Sequence, residues 1–313
     1  MRAFLRHFLS SLARPPKDRE KLVVAQCLVH AHANRQKNRI RTLADVEFSG
    51  FSQWGEDGIL DWLVERLPGI PETFVEFGVE DYRESNTRLL LWLRSWRGLV
   101  IDGSAEHVRD IQTQEIAWRF DVIALCAFID RDNINGLIAA GQFGTDIGIL
   151  SIDIDGNDYW VWESISVVKP VIVVCEYNAV FGDLRRITIP YQADFQRTRA
   201  HYSNLYFGAS LQALIGLGNA KGYTFVGTNR NGCNAFFVRN DRSQEVLSAI
   251  EEVSSYCSRF RESRDGTGRL TFVRGMNRVN LIRDMLVFDH DRNRAVPLTD
   301  LDLYSDEWKR RYS

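Results

Sequence analysis

No stretch of the 313 residues approaches the roughly 20 consecutive apolar side chains that a bilayer-spanning helix needs, which excludes an integral helical membrane protein. Positive charge is not in excess either. Thirty-nine Lys and Arg stand against 41 Asp and Glu, a formal net charge of -2, so no global field favours nucleic acid. A small-molecule or glycan partner fits better. Cysteine is sparse and unpatterned: Cys27, Cys126, Cys175, Cys233 and Cys257 are odd in number and show no CxxC spacing. That argues against a disulfide framework and a zinc knuckle, and it makes a reducing cytoplasm the expected location. Cys126 and Cys175 are expected buried in strands. No internal repeat is visible. What is present is 45% hydrophobic and 26% charged residues, enough for a full core and outside the disordered and fibrous classes.

The first 17 residues carry Arg2, Arg6, Arg14 and Lys17 without an acid, and Leu5, Phe8, Leu9 and Leu12 share one helical face. This reads as an end helix docked on the domain or a partner, or alternatively as a peripheral membrane-surface or targeting helix. After Pro15-Pro16 a second helix is expected over 18–36. From Phe51 the pattern changes to short apolar runs separated by helical segments, the signature of β-α-β units and a largely parallel sheet. Strands are expected at 73–77, 98–102, 121–125, 148–153 and 171–176, with a helix from Thr87 to Trp96 as the first crossover.

YTFVGT (223–228) and NAFFVR (234–239) are joined by five residues, too few for a parallel crossover, so they must pair antiparallel. A helix follows over 243–260, and the Arg-rich run from Arg259 to Arg294 is expected to form a solvated surface of mixed charge. The organisation expected is a helical appendage over 1–48, a doubly wound Rossmann-like α/β domain over 49–240, and a helical extension over 241–313.

Chemistry-bearing residues concentrate at the carboxyl ends of the expected strands, where open α/β sheets bind ligands. FVEFGVEDYRESN places Glu76 at the end of the first strand and Gly78 in the turn, with Ser85 and Asn86 as helix caps. VIDGS places Asp102, 26 residues after Glu76, at the corresponding edge, where an acid can accept hydrogen bonds from ribose hydroxyls. In FSQWGEDGIL, Gln53, Glu56 and Asp57 are either pocket residues or, with Ser52, ordinary helix-start chemistry.

LSIDIDGNDYWVWESI carries Asp153, Asp155 and Asp158, and VVCEYN brings Glu176 and Asn178 to the neighbouring edge. Clustered carboxylates raise one another's pKa unless a counter-charge is present. Asp153, Asp155, Glu176 and Asn178 are therefore candidate oxygen ligands for Mg2+ or Ca2+; the alternative is that DGND is simply a turn. General-base candidates are Asp153, Asp155 and His201 in RAHYSN. Tyr177, Tyr191 and Tyr202 either line a sugar-binding wall or belong to the core.

Five parallel strands followed by a hairpin, with FVEFGVEDY, VIDGS, DIDGNDY and YFGASLQAL…KGYTFVGTNRNGCNAFFVR, resemble the class I S-adenosylmethionine-dependent methyltransferases, and FkbM-like proteins in particular. The resemblance implies O-methylation of a sugar, glycan or sugar-bearing metabolite. It implies a cofactor held by Gln53, Glu56, Glu76, Gly78, Asn86, Asp102 and Ser104, with Glu76 and Gly78 at its methionine end and Asp102 at its ribose. The single glycine of the first turn departs from the family and counts more against a pyrophosphate-bearing nicotinamide cofactor than against S-adenosylmethionine. The other readings are a non-catalytic scaffold or membrane-surface subunit with a relic pocket, and an NAD-linked sugar oxidoreductase or epimerase.

Overall fold

The computed structural model describes residues 18–35 and 39–312. The expected basic helix over the first 17 residues lies outside the described residues. Among those that are described, no helix is long and apolar enough to cross a membrane.

Among the described residues ten strands follow in chain order: β1 (Thr73–Phe77), β2 (Arg97–Asp102), β3 (Val122–Cys126), β4 (Asp146–Ile152), β5 (Lys169–Glu176), β6 (Ile187–Thr188), β7 (Tyr223–Thr228), β8 (Asn234–Arg239), β9 (Leu286–Asp289) and β10 (Arg294–Pro297). Seven form one sheet in the order β3-β2-β1-β4-β5-β8-β7. The neighbours from β3 to β5 pair in parallel, and β8 runs antiparallel to both β5 and β7. This is the expected doubly wound, mostly parallel seven-stranded architecture with a terminal hairpin.

Alternation along the strands sorts the core into two layers, because successive side chains point to opposite faces. Phe74, Val100, Ile149, Ile172, Val174, Phe236 and Val238 pack on one face, against Trp62 and Leu63 of the helix Glu56–Arg66 and Leu89 and Leu90 of the helix Arg88–Arg94. Val75, Phe77, Leu99, Ile101, Leu150, Ile152, Val173 and Phe237 pack on the other, against Trp162 of the helix Asp158–Ser164 and Leu214 of the helix Leu211–Ala220. Full burial of each such side chain contributes about 1.5–3 kcal/mol before chain entropy is counted. The edge position of β3 explains one miss: Cys175 is buried in β5, whereas Cys126 ends β3 and is exposed.

The helix expected over 18–36 is present as Asp18–Arg35, tied down by the buried Arg88, whose guanidinium donates to Asp18 at 2.5 Å and to the Tyr82 carbonyl at 2.6 Å. The helix expected over 243–260 is only Ser243–Leu247 long. Beyond it the chain lies alongside β7: Thr228 N–H donates to the Ser254 carbonyl, and Tyr256 N–H donates to the Thr228 hydroxyl. Ser254, Ser255 and Ser258 favour such local bonding over a helix interior.

The C-terminal segment is mixed rather than helical. The β9–β10 hairpin joins β6 in a three-stranded sheet, and around it Val180, Phe181, Ile187, Phe195, Phe207, Ile282, Val287 and Leu298 form a third apolar cluster. Nor is the Arg-rich run wholly solvated, since Arg278 and Asp289 are buried.

Candidate active site

A cavity of about 420 Å³ opens at the carboxyl edge of the sheet. Its floor is the ends of β1, β2, β4 and β5 with the turns after them. Its far wall comes from residues 195–207, 232–234 and 258–278.

At one end, Ile101, Ala127, Phe128 and Ile129 form an apolar slot beside Asp102 and Gly103. Asp102 straps two turns together. One carboxylate oxygen accepts from Glu80 N–H at 2.8 Å; the other accepts from Ser104 N–H at 2.8 Å and faces His107 Nδ1 at 3.1 Å. A carboxylate offers about four acceptor positions, so the oxygen facing Glu80 keeps one for a ligand. Gly78 stands at φ 68° in close contact with the turn after β4: a Cβ there would lie 1.7 Å from the Asp153 carbonyl oxygen. No L side chain fits in this position.

Glu76 is buried at the end of β1. It accepts from Asn86 N–H at 2.8 Å, Thr87 N–H at 3.1 Å and the Thr87 hydroxyl at 2.5 Å, so it anchors the start of the helix Arg88–Arg94 as well as lining the cavity. Burial raises its pKa. Asn86 also lines the cavity and donates its amide to Ser151 at 3.1 Å.

Toward the other end, Asp153, Asp155 and Glu176 approach so closely that one carboxylate oxygen from each lies within 4.8 Å of the others. Burial first, then the charge of Asp155, pushes the Asp153 pKa well above the usual carboxylate range; burial and the charge of Asp153 do the same to Glu176. Glu176 Oε2 has no hydrogen-bond partner. Asp158 takes no direct part. It accepts from Ile154 N–H at 2.8 Å and Gly156 N–H at 2.9 Å, which shapes the loop carrying Asp153 and Asp155, and burial raises its pKa to about 6. The turn reading of DGND thus holds for Asp158, while Asp153 and Asp155 face the cavity.

The counter-charge within reach is Arg197 in the short helix Arg197–Ala200. It pairs with Asp155 at 2.5 Å, donates to the Asn204 carbonyl and lies 3.9 Å from the centre of the Phe207 ring. Nothing around RTRA in the sequence marks this residue, because its approach depends on the chain folding back over the sheet edge.

Several candidates sit elsewhere. Glu56 lies behind the wall, accepting from Trp54 N–H and from the amides of Asn229 and Asn234. Asp57 accepts from Gly50, Phe51 and Ser52 N–H, so the helix-start reading holds for it. Ser104 caps the helix Ala105–Thr113 and is not among the cavity-lining residues. Asn178 lines the cavity, but its amide donates to the Leu205 and Phe207 carbonyls and accepts from Val180 N–H. His201 does not line the cavity; its Nδ1 faces the Ser203 hydroxyl at 2.7 Å and its ring lies against Tyr202.

Of the three tyrosines, Tyr177 lines the cavity with its hydroxyl bonded to the Tyr256 carbonyl, while Tyr191 and Tyr202 do not line it. The aromatic wall is instead Trp54, Phe128, Phe195, Phe207 and Phe260, with Trp54 and Phe260 edge to face at 6.1 Å. Gln53 lines the cavity beside Trp54.

No protein-family model matches the chain, and no curated protein matches it. Among solved structures it is similar to the N-terminal domain of EvdMO1, crystallised in the presence of SAH and D-fucose, at 12% identity and TM-score 0.39 over 72% of this chain and 97% of that one. It is also similar to an S-adenosylmethionine-dependent methyltransferase from Clostridium acetobutylicum (9% identity, TM-score 0.37, 60% of this chain and 92% of that one). A third is an O-methyltransferase family protein from Burkholderia thailandensis (13% identity, TM-score 0.35, 59% and 58%). At such values these likenesses carry no weight for function.

Proposed function

We propose that the chain is an S-adenosylmethionine-dependent O-methyltransferase acting on a hydroxyl of a sugar, glycan or sugar-bearing metabolite, with a divalent cation orienting the acceptor. The observation that carries this is the polarity of the cavity: an apolar slot at Phe128 and Ile129, one open acceptor position on Asp102, and a carboxylate cluster at the opposite end. An adenine ring, a ribose and a sulfonium match that sequence of surfaces. Asp102 and Gly103 would hold the ribose, and Gln53, Glu76 and Asn86 the amino-acid end.

S-adenosylmethionine supplies an electrophilic methyl group: the acceptor O–C bond forms as the C–S bond breaks, and the sulfonium becomes a neutral thioether. The protein's task is alignment, for which positioning contributes about 7–11 kcal/mol in favourable cases. Asp153 takes the hydroxyl proton on the carboxylate oxygen that it does not offer to the cation, since it lines the cavity beside the carboxylate cluster where the acceptor would sit. Arg197 holds Asp155 Oδ1, which leaves Asp155 only its other oxygen to offer the cation, and His201 does not line the cavity, so Asp153 is the better of the three candidates. The divalent cation would polarise the acceptor hydroxyl, and the unpartnered Glu176 Oε2 within the carboxylate cluster fits an oxygen-ligated ion. Trp54 and Phe260 offer apolar faces to the CH surface of a sugar ring.

Calorimetric titration with S-adenosylmethionine and S-adenosylhomocysteine, with and without Mg2+, tests the reading. Binding to the wild type and its loss in Asp102→Ala are expected. No binding under either condition sinks the proposal, and binding of NADH in their place revives the oxidoreductase reading.

A further inference from the structure

We infer that Asn234 supplies a neutral fourth oxygen to the cation site formed by Asp153, Asp155 and Glu176, and that Glu56, outside the cavity, is the residue that aims it. This rests on the divalent-cation part of the function proposed above and names a ligand and a positioning residue for it.

Three observations carry the inference. First, Asn234 in β8 is the register partner of Glu176 in β5, and cross-strand partners hold their Cβ atoms about 4.5–5.5 Å apart on one face of the sheet. Both line the cavity. Second, Asn234 is 6% exposed, and its Oδ1 has no hydrogen-bond partner. A buried amide oxygen left without a partner forfeits its hydration without compensation, so its persistence points to a ligand.

Third, the orientation of the amide is dictated chemically. Glu56 Oε1 accepts from Asn234 Nδ2 at 2.9 Å and from Asn229 Nδ2 at 2.7 Å. A carboxylate can only accept, so the NH2 group must face Glu56 and the carbonyl oxygen must face the other way. Glu56 is itself fixed: it is fully buried at the first turn of its helix, and Trp54 N–H donates to its second oxygen at 2.8 Å. Three carboxylates and one amide oxygen form a hard-oxygen set of the kind Mg2+ and Mn2+ take.

The test uses the full chain and Mn2+ alone as the probe, followed by electron paramagnetic resonance and calorimetry, with S-adenosylhomocysteine titrated in parallel. The wild type should bind one Mn2+. Asn234→Ala should weaken binding about 10–100-fold, and Asn234→Asp, which keeps an oxygen toward the site but sets a second carboxylate against Glu56 Oε1, should weaken it less than Asn234→Ala. Removal of a residue that orients a ligand costs a similar 10–100-fold, expected for Glu56→Ala. Glu56→Gln keeps an oxygen for the two NH2 groups but turns its own NH2 toward Trp54 N–H, so its affinity should fall between wild type and Glu56→Ala. A merely structural Glu56 would lower thermal stability in Glu56→Ala without changing Mn2+ affinity. If that variant does not fold, the Asn234 pair decides.

Equal Mn2+ affinity in wild type and Asn234→Ala overturns the inference, as does absence of Mn2+ binding to the wild type. In either case intact S-adenosylhomocysteine binding leaves the methyltransferase reading standing, so the two failures are told apart.

Discussion

Burial raises the proton affinity of Asp153 and Glu176, and neighbouring charges that can be removed one at a time adjust it further. Asp155 contributes a negative charge beside both, and Arg197 a positive one. Asp155→Asn should therefore let both carboxyls ionise at lower pH, whereas Arg197→Ala should push both higher. Infrared difference spectroscopy of the protonated-carboxyl stretch across a pH series reads this directly; shifts of the same sign in the two variants would contradict the arrangement. The linkage to stability follows. The folded protein keeps protons on these raised groups that the unfolded chain releases near pH 4, so their contribution is fully present below about pH 4 and declines as pH rises through the folded values.

Among the elements, the helix Arg88–Arg94 depends on one side chain from a strand. Glu76 takes three donors from Asn86 and Thr87, so Glu76→Ala leaves buried donors without partners and should cost about 3 kcal/mol. A lowered urea midpoint with an unchanged slope is the expected signature. The same scale shows how much was readable beforehand. The five parallel strands and the hairpin were legible because each is a short apolar run closed by Gly, Asp or Asn. Asp153 and Glu176 were legible because they terminate two such runs. Asn234 was not: a hairpin in the sequence does not reveal that β8, rather than β7, lies beside β5, and that pairing is what brings Asn234 next to Glu176. The serines after residue 253 defeated the helical reading, since an apolar pattern cannot register the pull of Thr228 and Tyr177 on that segment.

In the molecule as a whole, the C-terminal third closes the cavity, and Arg278 holds that closure. Its guanidinium donates to the carbonyls of Phe260 and Ser258 at 2.9 Å and of Gly275 at 3.2 Å. Phe260 and Ser258 are cavity wall. Arg278→Ala should leave these carbonyls unsatisfied, lower stability by about 2–4 kcal/mol, and speed hydrogen exchange through residues 255–265 while the sheet stays protected. Unchanged exchange in that segment would show the wall to be held by other contacts.

The cavity walls run from Gln53 to Arg278, whereas the seven-stranded sheet is finished at Arg239. During synthesis, then, a ribosome-bound chain can assemble the sheet while its ligand site still lacks a side. The lining residues up to Asn234 are then already in place, and Ser258, Phe260 and Arg278 add the remaining wall afterwards.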